Sequence, residues 1–485
     1  MGSAGSYWLE TLGCPKNQVD SEKLAGTLRE AGYGRACSAD QAELIVVNTC
    51  AFIEAAREES VDTILELSDA RRPGARLVVT GCMAQRYGAE LAKAMPEVDL
   101  VAGFGVPVAL SPRRRNCGVA VGLPYRAGGG SILEAGCDEE HPRVAANSIA
   151  IPSFDLLELE RPPAGSPWAY VKVAEGCDRS CGFCAIPSFR GRQRSRRPES
   201  ILKEVEGLGV AEVVLVAQDL ASYGRDLGMA DALVPLVETI ASMVSRVRLL
   251  YLYPSSLSEE LVNTILGTGV AYFDLSLQHV SRTLLRRMRR WGSMDRFVEQ
   301  VAWIRAQEPG AVLRSSFILG YPGETEEDHD QLLEFLDAAQ LDWGGFFAFS
   351  EEEGTYAQGL DGKVPSELAM ERLRECSELQ DRITTKRRED LLGDVVEILV
   401  DAPGEGRSYR EAPEIDGVIH IPQSVPTGSM VDVRIVSASG PDLVGELVQG
   451  DLVCQLAHRR RYLEESDPLA RADPVVGGVP GLAGL

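Results

Sequence analysis

Three cysteines crowd the end of one apolar strand. WAYVKVAEGCDRSCGFC, from Trp168 to Cys184, sets Cys177-x3-Cys181-x2-Cys184 directly behind it. This feature constrains the fold more than any other. Side chains converge at the C-terminal end of a strand when it belongs to a parallel sheet or a βα barrel, whose working edge lies there. Thiolates are the soft ligands that iron–sulfur clusters need. Three ligands instead of four leave one iron open. An open iron can chelate the amino and carboxylate groups of S-adenosylmethionine and pass an electron to its sulfonium. Phe183, between the last two cysteines, is then expected near the adenine. The alternative is a zinc site with a distant fourth ligand, although zinc cysteines usually come as C-x2–4-C with a remote second pair.

The rest of the chain supplies the sheets that this motif demands. After Trp168, the segments AEVVLVAQD, VRLLYLYP, YFDLSLQH, VLRSSFILGYPG and WGGFFAFS are strand-like. Helical stretches such as PESILKEVEGL and DQLLEFLDAAQ lie between them, which makes about six βα units. Near the N-terminus YWLETLGC, ELIVVNTC and RLVVTGC alternate with amphipathic helices, the pattern of a parallel sheet. Beyond Gly393 short alternating strands are punctuated by Gly and Pro, as in a small antiparallel barrel. The fold expected is multidomain α/β. A parallel α/β domain covers 5–120, a linker 121–162 and a partial TIM barrel 163–392. A small antiparallel β-barrel covers 393–458 and a disordered tail 459–485.

Cys14, Cys50 and Cys82 are scattered in sequence, yet each ends one of the three N-terminal strands. Adjacent parallel strands bring such residues to one edge. Three thiolates there can hold a second cluster, again with an open iron; the other reading is three buried structural cysteines. Cys37, Cys117, Cys137, Cys376 and Cys454 share no spacing and read as structural or exposed.

Composition bounds the partners. The chain is 45% hydrophobic and 25% charged, as in soluble globular proteins. No run approaches the ~18 apolar residues of a membrane span, and MGSAGSYWLE lacks a signal-peptide pattern. A cytoplasmic location is the expectation, and there clustered cysteines point to metal or catalysis. A formal net charge of -23 disfavours nucleic acid as the main partner and suits a basic protein.

TLGCPKNQVDSE, NTCAF, TGCMAQRY, EGCDRSCGFCAIPSFRG and GYPGET, with the final β domain, together resemble the methylthiotransferase family of radical S-adenosylmethionine enzymes. The resemblance spans about Tyr7 to Leu456, and its last domain is similar to a TRAM domain. It implies two [4Fe–4S] clusters, an auxiliary one on Cys14, Cys50 and Cys82 and a radical one on Cys177, Cys181 and Cys184. It further implies S-adenosylmethionine as both methyl donor and radical source, and a flavodoxin- or ferredoxin-like electron donor. The sulfur donor is left open. An unactivated C–H has no acidic proton, so a radical, shielded from water, is the chemistry required.

One branch of the family modifies isopentenyladenosine beside the tRNA anticodon. The other adds a methylthio group to the β-carbon of an aspartate in small-subunit ribosomal protein twelve. GCPKNQVDSE, REAPEIDGVIHI and FDLSLQH resemble the second branch. Charge agrees: Gly393 to Ala457 holds eleven Asp or Glu against three Arg and no Lys. A domain gripping tRNA should be basic, whereas an acidic one suits a basic ribosomal protein. A non-catalytic, metal-stabilised RNA-binding module is the reading from another class. Ser276 departs from the family, which usually has proline there.

Other cofactor contacts are expected along the barrel strand ends. The candidates are Gln218, Asp219, Gln278, Arg314, Gly320, Gly323 and Glu324, with the glycines permitting close backbone approach. Ordinary barrel-end packing is the alternative for each. Arg190, Arg192, Arg194, Arg196 and Arg197 follow the cysteine loop and are expected to contact the cofactor carboxylate, to cover the cluster's charge, or to be solvated.

Overall fold

The structure is a computed structural model that describes residues 5–108, 118–120, 155–229 and 231–448. Most of the linker assigned to 121–162, the tail assigned to 459–485, and Cys117, Cys137 and Cys454 lie outside the described residues.

The N-terminal unit runs β1 (Gly5–Thr11), α1 (Pro15–Glu30), β2 (Tyr33–Arg35), β3 (Leu44–Thr49), α2 (Glu54–Ala70), β4 (Arg76–Gly81), α3 (Cys82–Ala94), β5 (Leu100–Ala102) and β6 (Gly118–Ala120). All six strands are parallel, in the order β2-β1-β3-β4-β5-β6. Both faces of the sheet are covered, which is why these strands read as unbroken apolar runs. Ile45, Val47, Leu77 and Val79 pack on one side with Ile64 and Leu91 from α2 and α3. Tyr7, Val46 and Val78 pack on the other with Leu24 and Leu28 of α1. Strands β2, β5 and β6 are only three residues long, too short to show a period.

The central unit opens with β7 (Trp168–Lys172), β8 (Ala174–Glu175), α4 (Ile186–Arg190), β9 (Arg194–Ser195), α5 (Pro198–Leu208), β10 (Glu212–Val216), α6 (Leu233–Ala241), β11 (Arg246–Leu249) and α7 (Glu259–Gly267). It continues through β12 (Tyr272–Gln278), α8 (Arg282–Arg287), α9 (Met294–Gln307), β13 (Val312–Leu319), α10 (Glu326–Ala339), β14 (Trp343–Ala348) and α11 (Ser366–Glu389). Two parallel three-stranded sheets, β7-β10-β11 and β12-β13-β14, are joined at Leu252. Its N–H donates to Asp274 O at 2.9 Å and its carbonyl accepts from Ser276 N–H at 2.9 Å. A proline at 276 has no N–H to make the second bond, so the departure at Ser276 adds a stitch to the barrel. Six strands thus form a partial barrel, and among the described residues no pairing closes β14 onto β7.

A smaller barrel, this one closed, follows: β15 (Val395–Ala402), β16 (Glu405–Arg407), β17 (Ile419–His420), β18 (Met430–Ser439) and β19 (Asp442–Leu447), in the order β15-β16-β17-β19-β18. The segment between β16 and β17 plugs the bottom of the large barrel. Tyr170 donates to Pro413 O at 2.8 Å, Tyr272 to Asp416 Oδ2 at 2.6 Å, and Trp343 Nε1 to Arg410 O at 2.8 Å. Arg407 pairs with the buried Glu212 at 3.0 Å. One mouth of the barrel is therefore filled, and the cysteine loop lies at the other.

Candidate active site

Cys14 follows β1 and precedes α1, Cys50 follows β3, and Cys82 opens α3 directly after β4. These three strands are neighbours in the sheet, and β1/β3 is where the strand order reverses, the usual ligand crevice of such sheets. Two glycines allow the approach. Gly13 has φ +91°, and a Cβ there would lie 2.7 Å from Cys50 Cβ and 2.9 Å from its Sγ. Gly81, also at φ +91°, would collide with the backbone of Thr49. Asn17 holds the turn by donating to Leu12 O at 2.8 Å and Thr49 O at 3.1 Å.

The thiols feel one another and two cations. Burial pushes Cys50 up to about 12, with Cys82 and Cys14 adding to the rise. Burial raises Cys82 too, against the pull of Arg190, whose Nη2 donates to its Sγ at 3.0 Å. Burial also acts to raise Cys14, but Lys16, Arg190 and the backbone N–H groups of Asn17 and Lys16 outweigh it and lower the thiol. Three mutually repelling thiolates in a buried pocket need a cation among them, as a metal cluster supplies.

Cys177, Cys181 and Cys184 follow β8 at the open mouth of the barrel. Gly176, at φ +78°, lets the chain pass the carbonyls of Gly191 and Arg192. Gly182 is pinned by its N–H to Met288 O and by its carbonyl to Ala357 N–H, both at 2.8 Å, and a Cβ there would meet Tyr321 Oη at 2.8 Å. Arg179 N–H donates to Cys177 Sγ at 3.4 Å, and Arg290 reaches Cys181 Sγ at 3.5 Å. The Arg179 and Arg290 guanidiniums also lie over the ring of Tyr253. Burial pushes Cys177 up to about 11 and Cys184 to about 12, and the neighbouring thiols add to both.

Among the described residues no three His, Cys, Asp or Glu side chains group as one bound metal ion requires. A four-iron cluster takes one thiolate per iron and needs its ligands further apart. The donor chemistry and the glycine-lined cradles fit such a cluster.

A buried ionic network joins the two triads. Arg190, six residues beyond Cys184, grips Glu175 with two 2.8 Å bonds and Asn17 Oδ1 at 2.6 Å while it touches Cys82. Lys172 bonds Asp20, and Glu175 at 2.7 Å. These partners hold Glu175 well below the usual carboxylate range against the cost of burial. Further out, Glu352, past β14, pairs with Arg57 of α2 at 2.7 Å and Arg86 of α3 at 2.6 Å.

The other expected contacts divide. Phe183 is half-buried against the barrel core. Gln218 follows β10, and its Nε2 donates to Glu175 at 2.7 Å while its Oε1 is buried without a partner. Gln278 ends β12 in a left-handed conformation, φ 75°, the kind of strain that gathers at functional sites. Asp219 accepts from Arg179 and Ser222 at 2.6 Å each. Gly320 and Gly323 have positive φ, but Gly320 N–H is taken by Glu324. Glu324 is fully engaged, accepting also from Tyr321 N–H at 3.2 Å and Arg372 at 3.0 Å. Arg314 lies near the start of β13, away from the open mouth, between Asp274 at 3.2 Å and Asp416 at 3.4 Å. In the arginine run, Arg190 reaches the N-terminal triad. Arg192 pairs with Asp178, Arg194 with Asp155 and Arg196 with Glu204, while Arg197 is exposed. Lys16, Asn17, Arg179 and Arg290 were missed from sequence. The first two follow Cys14 in the PKN triplet, but nothing marks Arg179 and Arg290 before the barrel is built.

Three family models match in order. The uncharacterized protein family UPF0004 covers residues 6–103, the radical SAM superfamily 171–336, and the TRAM domain 385–448. Fold and site thus define a radical S-adenosylmethionine methylthiotransferase, an enzyme class that works with an iron–sulfur cluster and S-adenosylmethionine. The ribosomal protein uS12 methylthiotransferase RimO of Streptomyces avermitilis is 40% identical over 481 residues, spanning 92% of this chain and 97% of that protein. The RimO of Saccharopolyspora erythraea is 42% identical over 454 residues, spanning 90% and 93%. The chain belongs to the RimO family of methylthiotransferases. Among solved structures, the radical methyltransferase TsrM of Kitasatospora setae, with cobalamin and a [4Fe–4S] cluster bound, aligns at a TM-score of 0.44 and 15% identity, over 83% of this chain and 77% of that one.

Proposed function

We propose that this enzyme adds a methylthio group to the β-carbon of an aspartate in ribosomal protein uS12, using two [4Fe–4S] clusters. The observation that carries the reading is the pair of three-thiol sites on either side of one interface, linked by Arg190. When bound, the cluster on Cys177, Cys181 and Cys184 supplies a deoxyadenosyl radical from S-adenosylmethionine, and the one on Cys14, Cys50 and Cys82 supplies the site for the inserted sulfur.

The chain's own residues do the positioning. The Arg179 N–H and Arg290 steady the barrel thiolates. Phe183, Gln278 and the free Oε1 of Gln218 offer an apolar face and polar contacts for the cofactor. The plug at 408–418 seals the far mouth and keeps water from a radical site. Arg57 and Arg86, clamped on Glu352, fasten the N-terminal domain over the open mouth. The substrate is a basic ribosomal protein, which the acidic C-terminal barrel suits and which sets a cytoplasmic location. The reductant is a flavodoxin- or ferredoxin-like protein. No described helix is long and apolar enough to cross a membrane.

The test is incubation of reconstituted enzyme with uS12 and, separately, with tRNA, followed by mass spectrometry. Methylthiolation of uS12 is expected, and a gain on tRNA alone refutes the substrate. Iron analysis should give about eight irons per chain. Cys181→Ala should abolish deoxyadenosine release, whereas Cys50→Ala should spare some cleavage but stop sulfur insertion. Intact product from Cys50→Ala removes the second cluster from the mechanism.

A further inference from the structure

Three lysines are buried among the described residues: Lys16, Lys23 and Lys172. Lys172 has Asp20 and Glu175 as partners, and Lys23 has Glu204 at 3.6 Å and Leu157 O at 2.7 Å. Lys16 stands apart. It is 8% exposed, yet no carboxylate comes within 4.0 Å of its Nζ among the described residues, and its only close contact there is the Tyr251 ring at 3.5 Å. Its strongest attractive neighbour is the Cys14 thiol, and Glu175 and Asp274 act on it only from beyond ion-pair distance.

The surroundings make this costly. Lys16 lies in the first turn of α1, where the helix dipole opposes a cation. Arg190 adds a second positive charge nearby. A lysine set among buried residues with no carboxylate in reach is disfavoured as an ammonium. Its location is informative: two residues from Cys14, reaching from the N-terminal domain to Tyr251 just past the end of barrel strand β11. Tyr251 is itself left-handed, φ 64°, with its N–H on Asp274 Oδ2 at 3.0 Å. Lys16 thus joins the N-terminal cysteine site to the barrel.

We infer that Lys16 is the substrate-recognition residue for a carboxylate, binding the side chain of the target aspartate. The inference rests on the proposed protein substrate. The reacting β-carbon of aspartate is bonded directly to its carboxyl carbon, so an anchored carboxylate fixes the C–H to be cleaved with little remaining freedom. A site built to pair a charge also rejects the neutral isostere, because the lysine is then left unpaired.

The probe is a fluorescent peptide of the uS12 loop carrying its aspartate, against the same peptide with asparagine. Binding to full-length reconstituted enzyme is read by anisotropy. Wild type should prefer the Asp peptide by ~10-fold or more. Lys16→Met should lose that preference while keeping wild-type iron content, and Lys16→Arg should retain part of it. Preserved discrimination in Lys16→Met overturns the inference. So does loss of iron from that variant, which would make Lys16 a counter-charge for the cysteine site. Methylthiolation of the Asp peptide by wild type is scored separately, so failure of the substrate reading is told apart from failure of the Lys16 assignment.

Discussion

At the scale of single residues, the site depends on where the backbone is allowed to go. Gly13 is the sharpest case, since positive φ and contact with Cys50 coincide. Gly13→Ala should cost about 1–3 kcal/mol from the left-handed penalty and displacement of Cys50, and it should lower iron content. Gly34→Ala, with nothing within 4 Å of the added Cβ, is the control. Urea unfolding and iron analysis of both variants decide it, and equal iron in the two would mean Cys50 has room to move. The cysteines themselves were legible because thiols at strand ends carry a chemical meaning. For Glu324 and Arg314 the sequence does not distinguish two roles. A polar residue near a barrel end reads the same whether it faces a ligand or an internal partner, and theirs are Arg372 and two backbone N–H groups, and Asp274 and Asp416. Arg190 shows the reverse. A run of five arginines hid one residue that folds back onto Cys82, because the fold separates neighbours that the sequence lists together.

At the scale of elements, long buried strands were visible and three-residue edge strands were not. In sequence the segment between β16 and β17 is simply part of a β domain, and its role as a barrel plug is invisible without the barrel. The plug also revises the charge argument. Of the eleven acidic residues from Gly393 to Ala457, the Glu411 carboxylate is buried on Arg388 and that of Asp416 on Arg314, and the half-buried Asp401 is paired with Arg407. These three are already neutralised within the chain. Asp394, Glu397, Glu405, Glu414 and Glu446 are exposed, though Glu397 already pairs with Arg246, so the face stays acidic but less than the count suggests. Glu411 accepts from Ser408 N–H at 2.8 Å and Ser408 Oγ at 2.7 Å as well as from Arg388. Glu411→Ala strands a buried guanidinium and should destabilise the protein by about 3–5 kcal/mol. Chemical denaturation measures it. A change below about 1 kcal/mol would mean that the plug contributes little to holding the two barrels together.

At the scale of the whole molecule, the two cysteine sites belong to different domains, and a buried ionic set lies between them beside apolar contacts from Val19, Ala185 and Phe189. Asp20 on α1 faces Lys172, Glu175 and Arg190 of the central unit, all buried. Two anions and two cations balance, so the group is stable only while every member is present. A buried ionic set of this kind fixes orientation, because a slipped interface leaves charges unpaired. Arg190 is the member whose loss is felt on both sides. Arg190→Met leaves Glu175 with Lys172, Gln218 and the Gly176 N–H, removes the donor to Cys82, and leaves Asn17 Oδ1 with the Cys82 thiol. Hydrogen exchange should then quicken in the first turns of α1 and around Cys82, while β12 and β13, far from the network, keep wild-type protection. Iron should fall toward half, with the Cys177 site retained. Arg190→Lys keeps the charge but not the two-pronged grip, so it should fall between wild type and Arg190→Met. If exchange in α1 and iron content both stay at wild-type values in Arg190→Met, the two sites are held in place by the shape of the interface, and the ionic network is a consequence of their proximity instead of its cause.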